Sequence, residues 1–195
     1  MPPRIAVFTL LGATLGAAIL DQHIRPADGN RFELIVEKTG LMKGKKHLFV
    51  FERYQGQLVY DEDKPENSRV EFNLESNSIV CKDDWVSAKD LKKIQQTALR
   101  DMLAADRYAT VSFQSNHVRA AGASQYDVAG ILKIRDVEKP ATVRVTLKRG
   151  DPGGPVFEGS AVVKMTDYRL KPPSAALGLI GTKDEMSVSF RLRAE

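Results

Sequence analysis

A chain of 195 residues with 43% hydrophobic and 28% charged side chains has the make-up of a folded globular protein, with enough apolar material for a sizeable core, and this excludes a disordered chain. Its 29 Lys and Arg against 25 Asp and Glu leave a net charge of +4, but the two signs are interleaved. A nucleic-acid footprint needs clustered basic residues, so no nucleic-acid partner is expected.

One cysteine, Cys81, excludes an internal disulfide and a cysteine-built zinc site, and is expected as a small buried hydrophobe. The first element in chain order is an uncharged run, residues 5–20, rich in Ala, Leu and Gly and preceded by Arg4. One positive charge before a short apolar core resembles a secretory signal, whereas a spanning helix needs about 20 apolar residues. Residues 1–28 are therefore read as a signal peptide or N-terminal apolar segment, and residues 29–195 as the domain. A periplasmic or secreted location follows, with a cytoplasmic protein that begins on a buried element as the alternative.

From Arg31 the chain is a succession of short strands. Phe32, Leu34 and Val36 alternate with Glu33, Ile35 and Glu37 until residues 38–40 break the run. Phe49 lies in the next strand, residues 48–51, and residues 58–60 form another. Val70, Phe72 and Leu74 alternate strictly with Glu71, Asn73 and Glu75, as in a sheet with one wet face. Val111 and Phe113, then Val128 and Leu132, then Val143 and Val145 mark further strands. Residues 149–155 read as a turn before residues 156–165, and Phe190 and Leu192 close the last strand. Eight or nine strands separated by turns predict a mainly β fold, an antiparallel sandwich or barrel.

One stretch breaks the pattern. Leu91, Ile94, Ala98 and Met102 recur at helical spacing, so a single helix is expected from about Ser87 to Ala104. Ser87 with Asp90 three residues later forms its capping signal.

Three ordered motifs then resemble one family. They are Leu-Arg-Asp-Met-Leu from Leu99 to Leu103 with Tyr108 to Ser115, the stretch from Val128 to Pro140, and Thr166-Asp167-Tyr168. Each is similar to an element of the YceI-like family, and together they span about Phe32 to Ala194. Arg169 stands where the family carries glycine, and Ala109 where it carries proline. The resemblance implies a lipocalin-like antiparallel barrel with one inserted helix, which binds a polyisoprenoid or related amphiphilic lipid, in exported bacterial proteins. The wall residues expected from alternation are Phe32, Leu34, Val36, Phe49, Val70, Phe72, Leu74, Val111, Phe113, Val128, Leu132, Val143, Val145, Phe190 and Leu192. A one-residue register slip would turn any strand's set outward.

No chemistry is expected. There is no Gly-x-Ser-x-Gly elbow and no glycine-rich phosphate loop, and His23, His47 and His117 form no metal-ligand pair. Neither cofactor nor metal is expected. Adjacent Asp83 and Asp84 read as capping or solvated residues. Lys43, Lys45 and Lys46 beside His47 read as a solvated loop, and as the candidate contact for a phosphate head group. The alternatives are a structural or interaction barrel filled by its own side chains, and an unrecognised hydrolase; a homodimer is left open.

Overall fold

The structure, a computed structural model, describes residues 20–61, 63–149 and 154–193. Eleven strands form one antiparallel sheet: β1 (Leu20–Ile24), β2 (Arg31–Gly40), β3 (Lys46–Phe51), β4 (Tyr54–Tyr60), β5 (Arg69–Glu75), β6 (Ile79–Cys81), β7 (Thr110–Gly122), β8 (Gln125–Ile134), β9 (Val137–Lys148), β10 (Val156–Lys164) and β11 (Ile180–Arg193). Their order is β1-β4-β5-β7-β8-β9-β10-β11-β2-β3-β6. The expected barrel with one helix is the fold, in a curled form. β1 and β6 are its two edges, with no ladder joining them among the described residues.

Eleven strands replace the expected eight or nine. β6 is only three residues long, and β1 lies inside the stretch read as a leader. β1 pairs with β4 from Leu20 opposite Tyr60 to Ile24 opposite Gly56, and Ile24 is buried. Residues 1–19, with most of the expected leader, lie outside the described residues, as do residues 150–153 of the expected turn.

The curl is closed from within. Phe32 on β2 stacks on Phe72 on β5 at 5.5 Å, although five strands separate β5 from β2 in the sheet order. Phe32 also meets Phe190 on β11 at 6.0 Å and Phe51 on β3 at 6.1 Å. Opposite walls thus touch through one aromatic cluster. A side chain on Gly159 could not share this space, because its Cβ would lie 2.2 Å from the Phe190 ring.

The single helix, α1 (Ala88–Gln96), starts where Ser87 Oγ accepts the Asp90 amide at 3.2 Å and donates to the Asp90 carboxylate at 2.8 Å. It is shorter than expected because residues 97–102 widen into a π turn, with the Leu103 amide reaching the Ala98 carbonyl. This turn directs both Ala98 and Leu103 into the core. The helix also protects an edge. The Gln95 amide accepts the Cys81 N–H at 2.8 Å and donates to the Ile79 carbonyl at 2.5 Å. One side chain thereby stands in for the missing strand beside β6.

Arg169 follows the turn at Thr166–Tyr168 and has φ +57°. A left-handed backbone is costly for any residue with a Cβ, which accounts for the glycine that the resembled family carries there. Arg169→Gly is expected to stabilise the fold by about 1 kcal/mol and to raise the melting temperature by roughly 2–4 °C in a thermal melt. The turn is pinned from β11, where the Asp184 carboxylate accepts the Thr166 amide at 2.9 Å and its hydroxyl at 2.6 Å.

Candidate ligand-binding cavity

The inner face of the sheet encloses one cavity of about 600 Å³. Such a volume lies within the range of about 300–1,000 Å³ typical of single-ligand sites. Phe32, Leu34, Val36, Phe49, Val70, Phe72, Leu74, Val111, Phe113, Val128, Leu132, Val143, Val145, Phe190 and Leu192 all line it, so the register expected from alternation places every one of them on its wall. Phe32, Leu34, Val70, Phe113, Leu132, Val143, Val145 and Phe190 are only half-buried, although they point inward. Their outer atoms face open space in place of a packed neighbour.

Further wall residues were absent from that set. Met186 and Val188, and Phe157 with Ala161 and Val163, continue alternations that the sequence displays. Val118 could not be found in that way. Asn116 is an extra residue between the pairs Ser115–Gly130 and His117–Ala129, and this bulge turns Val118 inward where strict alternation would choose His117. Ser115 completes the distortion by accepting the Val70 amide at 2.8 Å.

The register distinguishes two ends. At one end β2 finishes at Gly40 beside Ile180, and the wall is made by Lys38, His47, Ile94, Met102 and residues 173–175. At the other end lie Tyr60, Ser68, Arg69 and Tyr126, with the Tyr60 and Tyr126 hydroxyls 3.3 Å apart and the Arg149 guanidinium donating to Tyr60 at 3.2 Å. The helix and its π turn cover the first end.

Lys43, Lys45, Lys46 and Asp84 are exposed, as a solvated reading expects, whereas Asp83 departs from it. His47 is buried on β3, and its Nδ1–H donates to Asp83 at 2.5 Å. The Asp83 side chain is 1% exposed and also accepts the Leu48 amide at 2.8 Å. Trp85 stacks on the imidazole at 5.4 Å and donates its indole N–H to the Lys46 carbonyl at 3.0 Å. Trp85 is thus an anchor for the β2–β3 hairpin. Lys45 sits over the Trp85 ring at 5.3 Å and Lys46 pairs with Glu37 at 3.3 Å. The cations on the cavity wall are instead Lys38 and Lys93 at this end and Arg69 at the other, and the Lys38 pKa is lowered by burial against a smaller opposing pull from Asp83. Arg100 and Asp101 are exposed, and the Arg135 guanidinium holds the Asp101 carbonyl.

One set of donors could hold a metal among the described residues. His47, Cys81 and Asp83 offer nitrogen, sulfur and oxygen atoms within 4.8 Å of one another. These groups already satisfy one another, and a metal would have to displace the His47–Asp83 hydrogen bond and the thiol proton. Burial, aided by Asp83, pushes the Cys81 thiol up to about 11. A nucleophilic cysteine needs the opposite shift, and Cys81 does not line the cavity.

The same burial yields a pH prediction. The Cys81 thiol rises from 9.0 to about 11, and the phenols of Tyr54 and Tyr168 from 10.0 to about 12. The fold disfavours the charged form of each group, so the unfolded chain releases these protons first. Their contribution to stability is complete below pH 9.0, declines as the thiol would ionise in the unfolded chain, and is lost as pH rises through about 12. Denaturation midpoints across this range are expected to fall, and Cys81→Ala is expected to remove the earliest part of the decline.

Residues 32–194 match the YceI-like domain family. A UPF0312 protein of Azotobacter vinelandii is 27% identical over 196 residues, covering 88% of this chain and 94% of its own. A UPF0312 protein of Pseudomonas putida is 28% identical over 130 residues, 64% of each chain. Among solved structures, Burkholderia cenocepacia BcnA has a TM-score of 0.64 at 19% identity, over 83% of this chain and 94% of its own. A Campylobacter jejuni YCEI protein has a TM-score of 0.59 at 15% identity, over 98% and 99%. A polyisoprenoid binding domain from Saccharophagus degradans, implicated in plant cell wall breakdown, has a TM-score of 0.58 at 12% identity, over 89% and 97%.

Proposed function

This chain belongs to the YceI-like domain family, and from that premise we propose that it is a non-catalytic protein that binds or carries a polyisoprenoid or related amphiphilic lipid inside its sheet. The observation that carries the reading is the cavity itself, a single space of about 600 Å³ walled by fifteen inward-facing apolar positions and their neighbours. Burying apolar ligand surface there contributes about 25 cal/mol per Å², so affinity needs no charged or catalytic group. Lys38 and His47 at one end suit a polar head, while the aromatic and aliphatic wall suits a chain. The Saccharophagus degradans neighbour, a polyisoprenoid binding domain, supports the same ligand class. A barrel filled by its own side chains would have left no such volume, which weighs against a purely structural role. The buried, protonated Cys81 weighs against a hydrolase.

The reading includes export to the periplasm or beyond, supported by the apolar run after Arg4. Sequencing the mature N-terminus of fractionated protein tests it, and an intact Met1 in the cytosol overturns it. The binding reading is tested by native mass spectrometry after mild purification. A co-purifying isoprenoid or fatty lipid is the expected result. A protein that arrives empty and takes up neither prenyl nor fatty lipids overturns it.

A further inference from the structure

Exposed large hydrophobic residues are few among the described residues, and three of the five lie together. Leu41 is 75% exposed, Leu177 107% and Leu179 60%. Leu41 belongs to the β2–β3 turn, and the two others to the loop before β11. The Leu41 amide donates to the Leu179 carbonyl at 3.0 Å, so the two loops are joined at their tips. Gly40 permits this contact: its φ is +65°, and a Cβ there would lie 2.1 Å from the Leu179 carbonyl oxygen. Leu177 is held outward by backbone that side chains avoid, with Ala176 at φ +51° and Leu177 at +54°.

The charge around these leucines has one sign. Between Gly40 and Lys46 the chain carries Lys43, Lys45 and Lys46 and no carboxylate, and between Arg169 and Thr182 it carries Arg169 and Lys171 and again none. The same loop supplies Pro173, Ser174 and Ala175 to the cavity wall, and Thr182 follows on β11. An apolar tip flanked by loop cations, of which Lys46 is already paired with Glu37, therefore adjoins one end of the cavity.

We propose that this tip is a membrane-docking surface, and that its partner is the surface of a bilayer containing anionic phospholipid. The leucines would enter the interfacial region while the lysines meet phosphate head groups, the two forces by which peripheral proteins hold to membranes. A lipid could then pass between bilayer and cavity at the docked end. This inference rests on the proposed lipid-binding function for its purpose, but its observable is separate.

The test is co-sedimentation of the full chain with vesicles of phosphatidylcholine, with and without phosphatidylglycerol. Binding is expected only with the anionic lipid, and is expected to weaken with salt. A Leu41→Ser, Leu177→Ser, Leu179→Ser variant is expected to lose about a thousandfold in vesicle affinity, since each leucine withdrawn from water contributes about tenfold. Lys43→Gln with Lys171→Gln is expected to lose about 25-fold, roughly fivefold per lysine. Uptake of the apolar fluorophore N-phenylnaphthylamine without vesicles reports the cavity, and is expected to be equal in all three proteins, which also verifies their folding. Wild type that takes up the fluorophore but ignores anionic vesicles overturns the docking proposal alone. Vesicle binding without fluorophore uptake supports docking and counts against the cavity reading. Equal vesicle binding by wild type and the serine variant overturns docking, as does a vesicle-free dimer that the serine variant abolishes, which would assign the leucines to a second copy of the chain.

Discussion

Replacing Ala161 by tryptophan is expected to weaken lipid binding roughly a hundredfold while leaving the protein folded. Ala161 sits on β10, lines the cavity and is only partly buried, opposite Val188 in the ladder with β11. An indole at this position would project into space that no protein atom now fills, so it gains contacts without displacing packed neighbours. A ligand chain would lose that space. Excluding three or four methylenes, at about 0.8 kcal/mol each, costs about 3 kcal/mol, or roughly a hundredfold in affinity. The measurement is a titration with a prenyl or fatty lipid beside a thermal melt. Unchanged affinity with an unchanged melt would place the ligand elsewhere on the protein.

Phe32→Ala is expected to have the largest effect on stability. Phe32 is the hub through which β2 meets β5 across the interior, and its ring also contacts Phe51 and Phe190. Aromatic truncations in cores cost about 3–5 kcal/mol. Phe32 borders the cavity and is only partly buried, which favours the lower figure. About 3 kcal/mol corresponds to a melting temperature lower by roughly 10 °C in a chain of this size. Phe32→Leu is expected to recover about half of the loss. If Phe32→Ala cost under about 1 kcal/mol, contacts other than this aromatic bridge would be holding the walls together.

The lining of the cavity was legible because a strand's side chains alternate with a period of two, and a sheet with one wet face writes that period as apolar and polar residues. Val70, Phe72 and Leu74 between Glu71, Asn73 and Glu75 show it in its simplest form. Legibility ended where the period was interrupted. The extra residue Asn116 in β7 changes which parity faces inward, and residue type does not announce it. β1 was hidden for another reason. An apolar segment close to the N-terminus reads equally as leader or strand until a partner such as β4 is available to pair with it.

The polar end of the cavity was less legible still. His47, Cys81 and Asp83 are separated by up to 36 residues, and Lys38 and Lys93 lie on different elements. Adjacent Asp83 and Asp84 looked solvated because charge alone predicts exposure. Asp83 is buried only because β6 runs beside β3 and brings its carboxylate to His47 and the Leu48 amide. The same holds for Leu41 and Leu179, which meet through two loops that the ladder between β2 and β11 aligns.

By itself, then, the sequence determined the antiparallel β class, the position and cap of the single helix, the apolar face of each regular strand and the family motifs, because local periodicity and capping chemistry act over a few neighbouring residues. The tertiary structure alone decided that the curled sheet leaves about 600 Å³ open, that Phe32 bridges it, that Gln95 covers the β6 edge, and which polar groups and leucines gather at one end. Those outcomes depend on contacts between residues far apart in the chain, on register and on bulges, which no local pattern encodes.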